Sequence, residues 1–123
     1  LILLLSGLFI QGMVIHPREH RVIQKDAGLW MKENLPGGGK VMSSRPQEAF
    51  YAELPWLLFP RKNYEEVLKI ARASGVKYLV LDEDIEEYSP GIWGKLNEKD
   101  LILLKDMKRK QWRMVIFEIV YPG

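Results

Sequence analysis

His16, Glu19 and His20 fall in the order H-x-x-E-H, the inverted zinc-peptidase pattern, in which two histidines four apart on a helix hold a metal and the glutamate activates water. Pro17 interrupts it, since proline fits only the first turn of a helix, and a wholly apolar run ends just before it. The expected setting is therefore the polar flank of a membrane-like segment, and no metal is assigned. Two further groups carry chemistry of another kind. Arg45, Glu48, Tyr51 and Glu53 follow one short apolar burst, and Asp82, Glu83 and Asp84 follow another. If both bursts are strands, these residues sit beyond strand C-termini, where open α/β sheets bind ligands. With adjacent parallel strands the two groups would face one crevice, suited to a polyol, a peptide segment or a neighbouring loop of the same protein; ordinary solvated loop ends are the alternative.

Other patterns point away from catalysis. Pro36-Gly37-Gly38-Gly39-Lys40 lacks the G-x-x-x-x-G-K-[ST] spacing of a phosphate loop and leads from helix to strand, the reverse of that motif, so it is expected to be a helix stop and turn. The chain has no cysteine, hence no disulfide framework and no thiolate metal site. It has no Ser-His-Asp spacing and no cofactor fingerprint. No catalytic, cofactor-binding or metal residue is assigned to it.

The elements that must position these residues follow from periodicity. Apolar residues between Val22 and Leu35 recur at helical spacing, predicting a helix over 20–34 that Pro36 and the glycines stop. Lys40–Ser44 suits a buried strand, and a short helix fits Pro46–Ala52 within a long aromatic stretch punctuated by three prolines up to Pro60. Asn63 is placed to cap a helix with Glu65 and Glu66 in its first turn and Val67, Leu68, Ile70 and Ala71 on its apolar face. Gly75 ends that helix, and Val76–Leu81 is the clearest strand. Ile85–Leu96 reads as a short helix or turn. Leu101–Lys105 and Trp112–Tyr121 read as an antiparallel hairpin joined by a basic turn over Asp106–Lys110. The fold class expected is α/β: a small mixed sheet with one parallel βαβ crossover and a C-terminal antiparallel hairpin, helices packed against the sheet.

The chain of 123 residues is 47% hydrophobic and 28% charged, in the range of one globular domain, and its net charge of +2 is too small to argue for nucleic acid. That average hides Leu1–Ile15, which carries no charge at all. Fifteen helical residues rise about 22 Å against a hydrocarbon core of about 30 Å, so the expectation is the end of a truncated transmembrane helix over 1–17, followed by a single soluble α/β domain over 18–123. A buried core helix or a targeting segment are the alternatives. Lys105, Lys108, Arg109, Lys110 and Arg113 form a basic cluster that would meet anionic headgroups if the hairpin tip lies near a membrane, or that merely keeps a sheet edge soluble.

With these residues placed, the run Gly28-Leu29-Trp30-Met31-Lys32-Glu33-Asn34-Leu35-Pro36, then Lys40–Arg45, Ala49–Ala52, Pro60, Tyr64–Leu68 and Gly75–Asp82, resembles the tail of lipid-linked-sugar glycosyltransferases similar to dolichyl-phosphate-mannose protein mannosyltransferases. The resemblance covers Arg21 to Asp82. It implies that the chain is an extracytoplasmic C-terminal accessory domain of a polytopic membrane enzyme, with the catalytic carboxylate outside this chain. The implied donor is a polyprenyl-phosphate-linked sugar. The implied partners are the membrane, the transmembrane part of the same protein and an acceptor glycan, lipid or protein. Arg18, Arg21 and Lys25 argue the other way on sidedness, because basic flanks favour the cytoplasm. Arg45, Glu48, Tyr51 and Asp82 are the candidate acceptor or interdomain contacts, with Arg45 expected to pair with Asp82 or to meet an acidic group. A membrane-tethered α/β binding or sensor domain without activity is the alternative function.

Overall fold

A computed structural model describes residues 19–122. The expected span over 1–17 lies outside the described residues, and among those described no helix is long and apolar enough to cross a membrane. Residues 19–34 form helix α1. There follow β1 (Lys40–Ser43), α2 (Gln47–Ala52), β2 (Trp56–Leu58), α3 (Tyr64–Ala73), β3 (Val76–Asp82), α4 (Ile85–Tyr88), a 3-10 turn (Ile92–Gly94), β4 (Leu101–Arg109) and β5 (Trp112–Ile119). One five-stranded sheet runs in the order β2-β1-β3-β5-β4. Its first three strands are parallel, β5 is antiparallel to β3, and β4 closes an antiparallel hairpin with β5. The mixed sheet, the parallel crossover and the hairpin are as the sequence predicts.

The chain makes two crossovers where one is expected, because Trp56–Leu58 pairs with β1 as a third parallel strand. Its three residues sit between Pro55 and Pro60, and prolines are tolerated there because β2 is an edge strand with one side unpaired. The hairpin departs from expectation too. Asp106–Arg109 continue β4, and only Lys110 and Gln111 turn, with Lys110 at φ 56 as tight hairpin turns require. A register shift between Leu103 and Lys105 changes which side chains face the core, so that Leu104 and Met107 pack inward while the charges between them stay in water.

Alternation along the central strands builds two cores. Met42, Leu79, Leu81, Val115 and Phe117 point to the face covered by α3, α4 and the 3-10 turn. Val41, Tyr78, Val80, Met114 and Ile116 point to the face covered by α1 and α2. Helix α3 forms as read: the Asn63 side chain accepts from the Glu66 amide at 2.9 Å, Tyr64, Val67, Leu68 and Ala71 are buried, and Gly75 at φ +71 follows its end. Helix α1 buries His20, Ile23, Gln24, Ala27, Gly28 and Met31, a stripe at i, i+3, i+4, i+7 spacing. Each fully buried aliphatic side chain on these faces contributes about 1.5–3 kcal/mol.

Candidate functional site at the strand C-termini

From β1 one crossover passes through α2 on one face to β2, and the return through α3 on the other face brings β3 to the opposite side of β1. The carboxyl ends of β1 and β3 are therefore neighbours at the point where the strand order reverses, the place where open α/β sheets form a ligand crevice. Residues from both groups singled out from the sequence meet there. The Ser44 hydroxyl donates to Asp82 Oδ2 at 2.7 Å, and the Asp84 amide donates to Asp82 Oδ1 at 3.0 Å. Arg45 Nη2 donates to Asp84 Oδ2 at 3.0 Å.

The expected Arg45–Asp82 pair is thus replaced by Arg45–Asp84. Asp82 is 3% exposed and already holds two donors, whereas the Arg45 guanidinium stays in solvent, where a long cation avoids desolvation. Tyr51 does not join the network. It belongs to the seam between α1 and α2, beneath the Lys25 ammonium at 5.9 Å and edge-on to Phe50 at 5.5 Å. Glu53 likewise turns away and pairs with Lys32.

Glu48 enters the site from α2 and is 1% exposed. Burial, reinforced by the nearby Asp82 charge, pushes its carboxyl up to about 7, against the lowering effect of its hydrogen bonds. Proton bookkeeping at Ser43 agrees with a neutral form. The Ser43 hydroxyl reaches both the Arg45 carbonyl and, at 3.3 Å, Glu48 Oε2, while the Trp56 indole N–H donates to it at 3.0 Å. A hydroxyl carries one proton. When that proton goes to the Arg45 carbonyl, a proton on Glu48 completes the remaining contact.

His20 is the residue that the sequence placed elsewhere. Its ring stacks on Trp112 at 4.6 Å and 12°, it is 5% exposed, and Nε2 lies 3.3 Å from Glu83 Oε1. Glu83 also accepts from the Arg113 amide at 3.1 Å, and burial raises its carboxyl above the usual range. Ligand atoms of His20, Asp82 and Asp84 lie within 4.8 Å of one another, but both carboxylates already accept from Ser44, Arg45 and the Asp84 amide. The H-x-x-E-H reading is not the route to this group. His16 lies outside the described residues, and Glu19 points to the hairpin, accepting from Arg109 at 2.6 Å and Lys110 at 3.2 Å. The signal that would have found His20 is its helical spacing from Ile23, Gln24 and Ala27. Pro36–Lys40 forms the expected stop and turn, with Gly38 at φ +72 and Gly39 at φ +136.

The site is a polar network with one exposed ion pair at its rim. It can present Arg45 and Asp84 to a polar partner, and it holds a buried carboxyl that titrates near neutrality. Comparison with protein families, with curated proteins and with solved structures finds no match.

Proposed function

We propose that this chain is an extracytoplasmic accessory domain of a membrane glycosyltransferase that transfers a sugar from a polyprenyl-phosphate donor, with the catalytic residues outside the chain. In this reading the strand-end crevice faces the membrane-embedded part and contacts it, or contacts the acceptor, through Arg45 and Asp84 at its rim, with the buried Glu48 and Asp82 supporting them from beneath. The family resemblance supplies the enzyme class. The observation that carries the orientation is His20: five residues after the charge-free run ends at Ile15, it packs on Trp112 and Glu83 and so becomes part of the crevice itself. An anchor over 1–15 would hold that end of the sheet toward the bilayer. The engaged carboxylates support an accessory role over a catalytic one, since Asp82 and Asp84 already bind donors.

The test is sugar transfer by the longer protein with and without residues 19–123, using a polyprenyl-phosphate-linked sugar donor. Reduced but measurable transfer by the deletion supports the accessory role. If the intact protein transfers no sugar from any such donor, the reading fails and a membrane-tethered binding domain replaces it.

A further inference from the structure

We propose that the β4–β5 hairpin tip is a docking surface for anionic lipid headgroups; this rests on the membrane reading above. Lys105, Lys108, Arg109, Lys110 and Arg113 are all exposed. Against them stand Asp106, which pairs with Arg113, and Glu19, which pairs with Arg109 and Lys110. Glu83, which accepts from the Arg113 amide at 3.1 Å, and Asp26, whose charge acts on Arg109, are also near, so five cations face four acids; Lys108, Arg109, Lys110 and Arg113 form the protruding tip, with Lys105 behind it opposite Ile116. The protrusion is real: β3 pairs with β5 only as far as Asp82 opposite Met114, while the hairpin continues through Lys108 opposite Arg113 and Arg109 opposite Trp112. Two further pairs carry the tip about 7 Å beyond the end of β3, at about 3.3 Å per residue.

Covalent reach decides where that tip lies. Glu19 is held to Arg109 at 2.6 Å and to Lys110 at 3.2 Å. Ile15, the last residue of the charge-free run, is four residues before Glu19. Four residues span at most about 14 Å whatever their conformation. If residues 1–15 occupy hydrocarbon, the tip is confined to a shell comparable with the headgroup layer, about 5–8 Å thick on each side of the core, plus one Debye length of about 8 Å. The exposed cations of the tip within that shell have anionic headgroups as their complementary surface, and basic residues there each strengthen attachment about fivefold.

The experiment uses the full 123-residue chain, which contains no cysteine, with Gln111→Cys labelled by an environment-sensitive fluorophore. It is reconstituted with phosphatidylcholine vesicles and with phosphatidylcholine–phosphatidylglycerol vesicles, each containing a headgroup spin-labelled lipid as quencher. Docking predicts quenching in the anionic vesicles, weak quenching in the neutral ones, and loss of the difference at high salt. Lys108→Gln and Lys110→Gln should each lower the docked-to-undocked ratio about fivefold while flotation with the vesicles and the circular dichroism spectrum stay unchanged. A chain that floats with both vesicles but shows equal quenching overturns the docking and leaves the membrane reading intact. A chain that floats with neither overturns both.

Discussion

The two helical layers use the same sheet for opposite purposes. Under α3 and α4 the core is largely apolar, with the Tyr64 hydroxyl donating to Asp100 at 3.1 Å at its margin and Ser89 buried at the end of α4. Under α1 and α2 the interior holds His20, Gln24 and Glu48 beside Ile23, Ala27 and Met31, and it runs into Asp82 at the strand ends. Apolar burial is forgiving of geometry and strongly stabilising, whereas a buried polar network is worth little unless every partner is in place. The α3 layer therefore supplies the larger apolar core of the fold, and the α1–α2 layer combines its own apolar core with the site, at a cost in stability.

The largest effect should come from breaking the larger apolar core. Leu79 is fully buried against the α3 layer, and Leu79→Ala should destabilise by about 2–5 kcal/mol, read from the denaturant midpoint. The next prediction belongs to the other layer. Burial pushes the Glu48 carboxyl up to about 7 in the folded chain, against an ordinary value of 4.5. Between those values the folded state binds a proton that the unfolded state has released, so stability is full below about pH 4.5, falls as pH rises, and levels off above about pH 7. The loss is on the order of 3 kcal/mol. Glu48→Gln keeps a donor for Ser43 and cannot ionise, so it should match the native chain at low pH and exceed it at pH 8. Parallel pH–stability curves for the two proteins would refute a neutral buried Glu48.

Gly28 sharpens the same contrast. A Cβ at that position would meet Tyr51 Cβ at 2.5 Å and the Glu48 carbonyl oxygen at 2.6 Å, so α1 and α2 approach this closely only because the side chain is absent. Gly28→Ala should cost about 1–3 kcal/mol and, by parting the helices and admitting water to Glu48, reduce the pH dependence as well. Gly94→Ala, with nothing within 4 Å of the added carbon, should leave both unchanged. A Gly28→Ala chain as stable as the Gly94→Ala chain would mean that the seam is looser than its geometry.

The sequence made the α3 layer legible because a cap, an amphipathic face, a glycine stop and a β-rich strand all pointed to one answer. Strand β2 was hidden because three residues between prolines give no alternation to read, and its pairing depends on β1, across the α2 crossover. The length of β4 was hidden because charges on an edge strand look like a turn. At the site, Arg45, Glu48 and Asp82 were legible from their place after apolar bursts. His20 was not, because a histidine beside basic residues at the end of an apolar run reads as a flank, and its burial arises from Trp112, which lies at the far end of the chain. Tyr51 lies apart from the polar network, against Gly28 and beneath Lys25, a placement set by the packing of α1 on α2.

The smallest expected change in stability falls at the rim, where the two layers' roles are most easily confused. Arg45 and Asp84 are 46% and 33% exposed, so their ion pair is screened, and Arg45→Ala should alter stability by less than about 1 kcal/mol. Function is another matter. If the crevice contacts an acidic acceptor or the membrane-embedded part, the same substitution should lower sugar transfer by the longer protein without lowering its amount in the membrane. Arg45→Lys separates charge from shape: it retains the cation but not the planar fork that grips a carboxylate or phosphate at two points, so partial rescue indicates electrostatics and failure indicates bidentate contact. Unchanged transfer in Arg45→Ala would remove the rim from the binding surface and leave Arg45 as a structural latch on the β3–α4 turn.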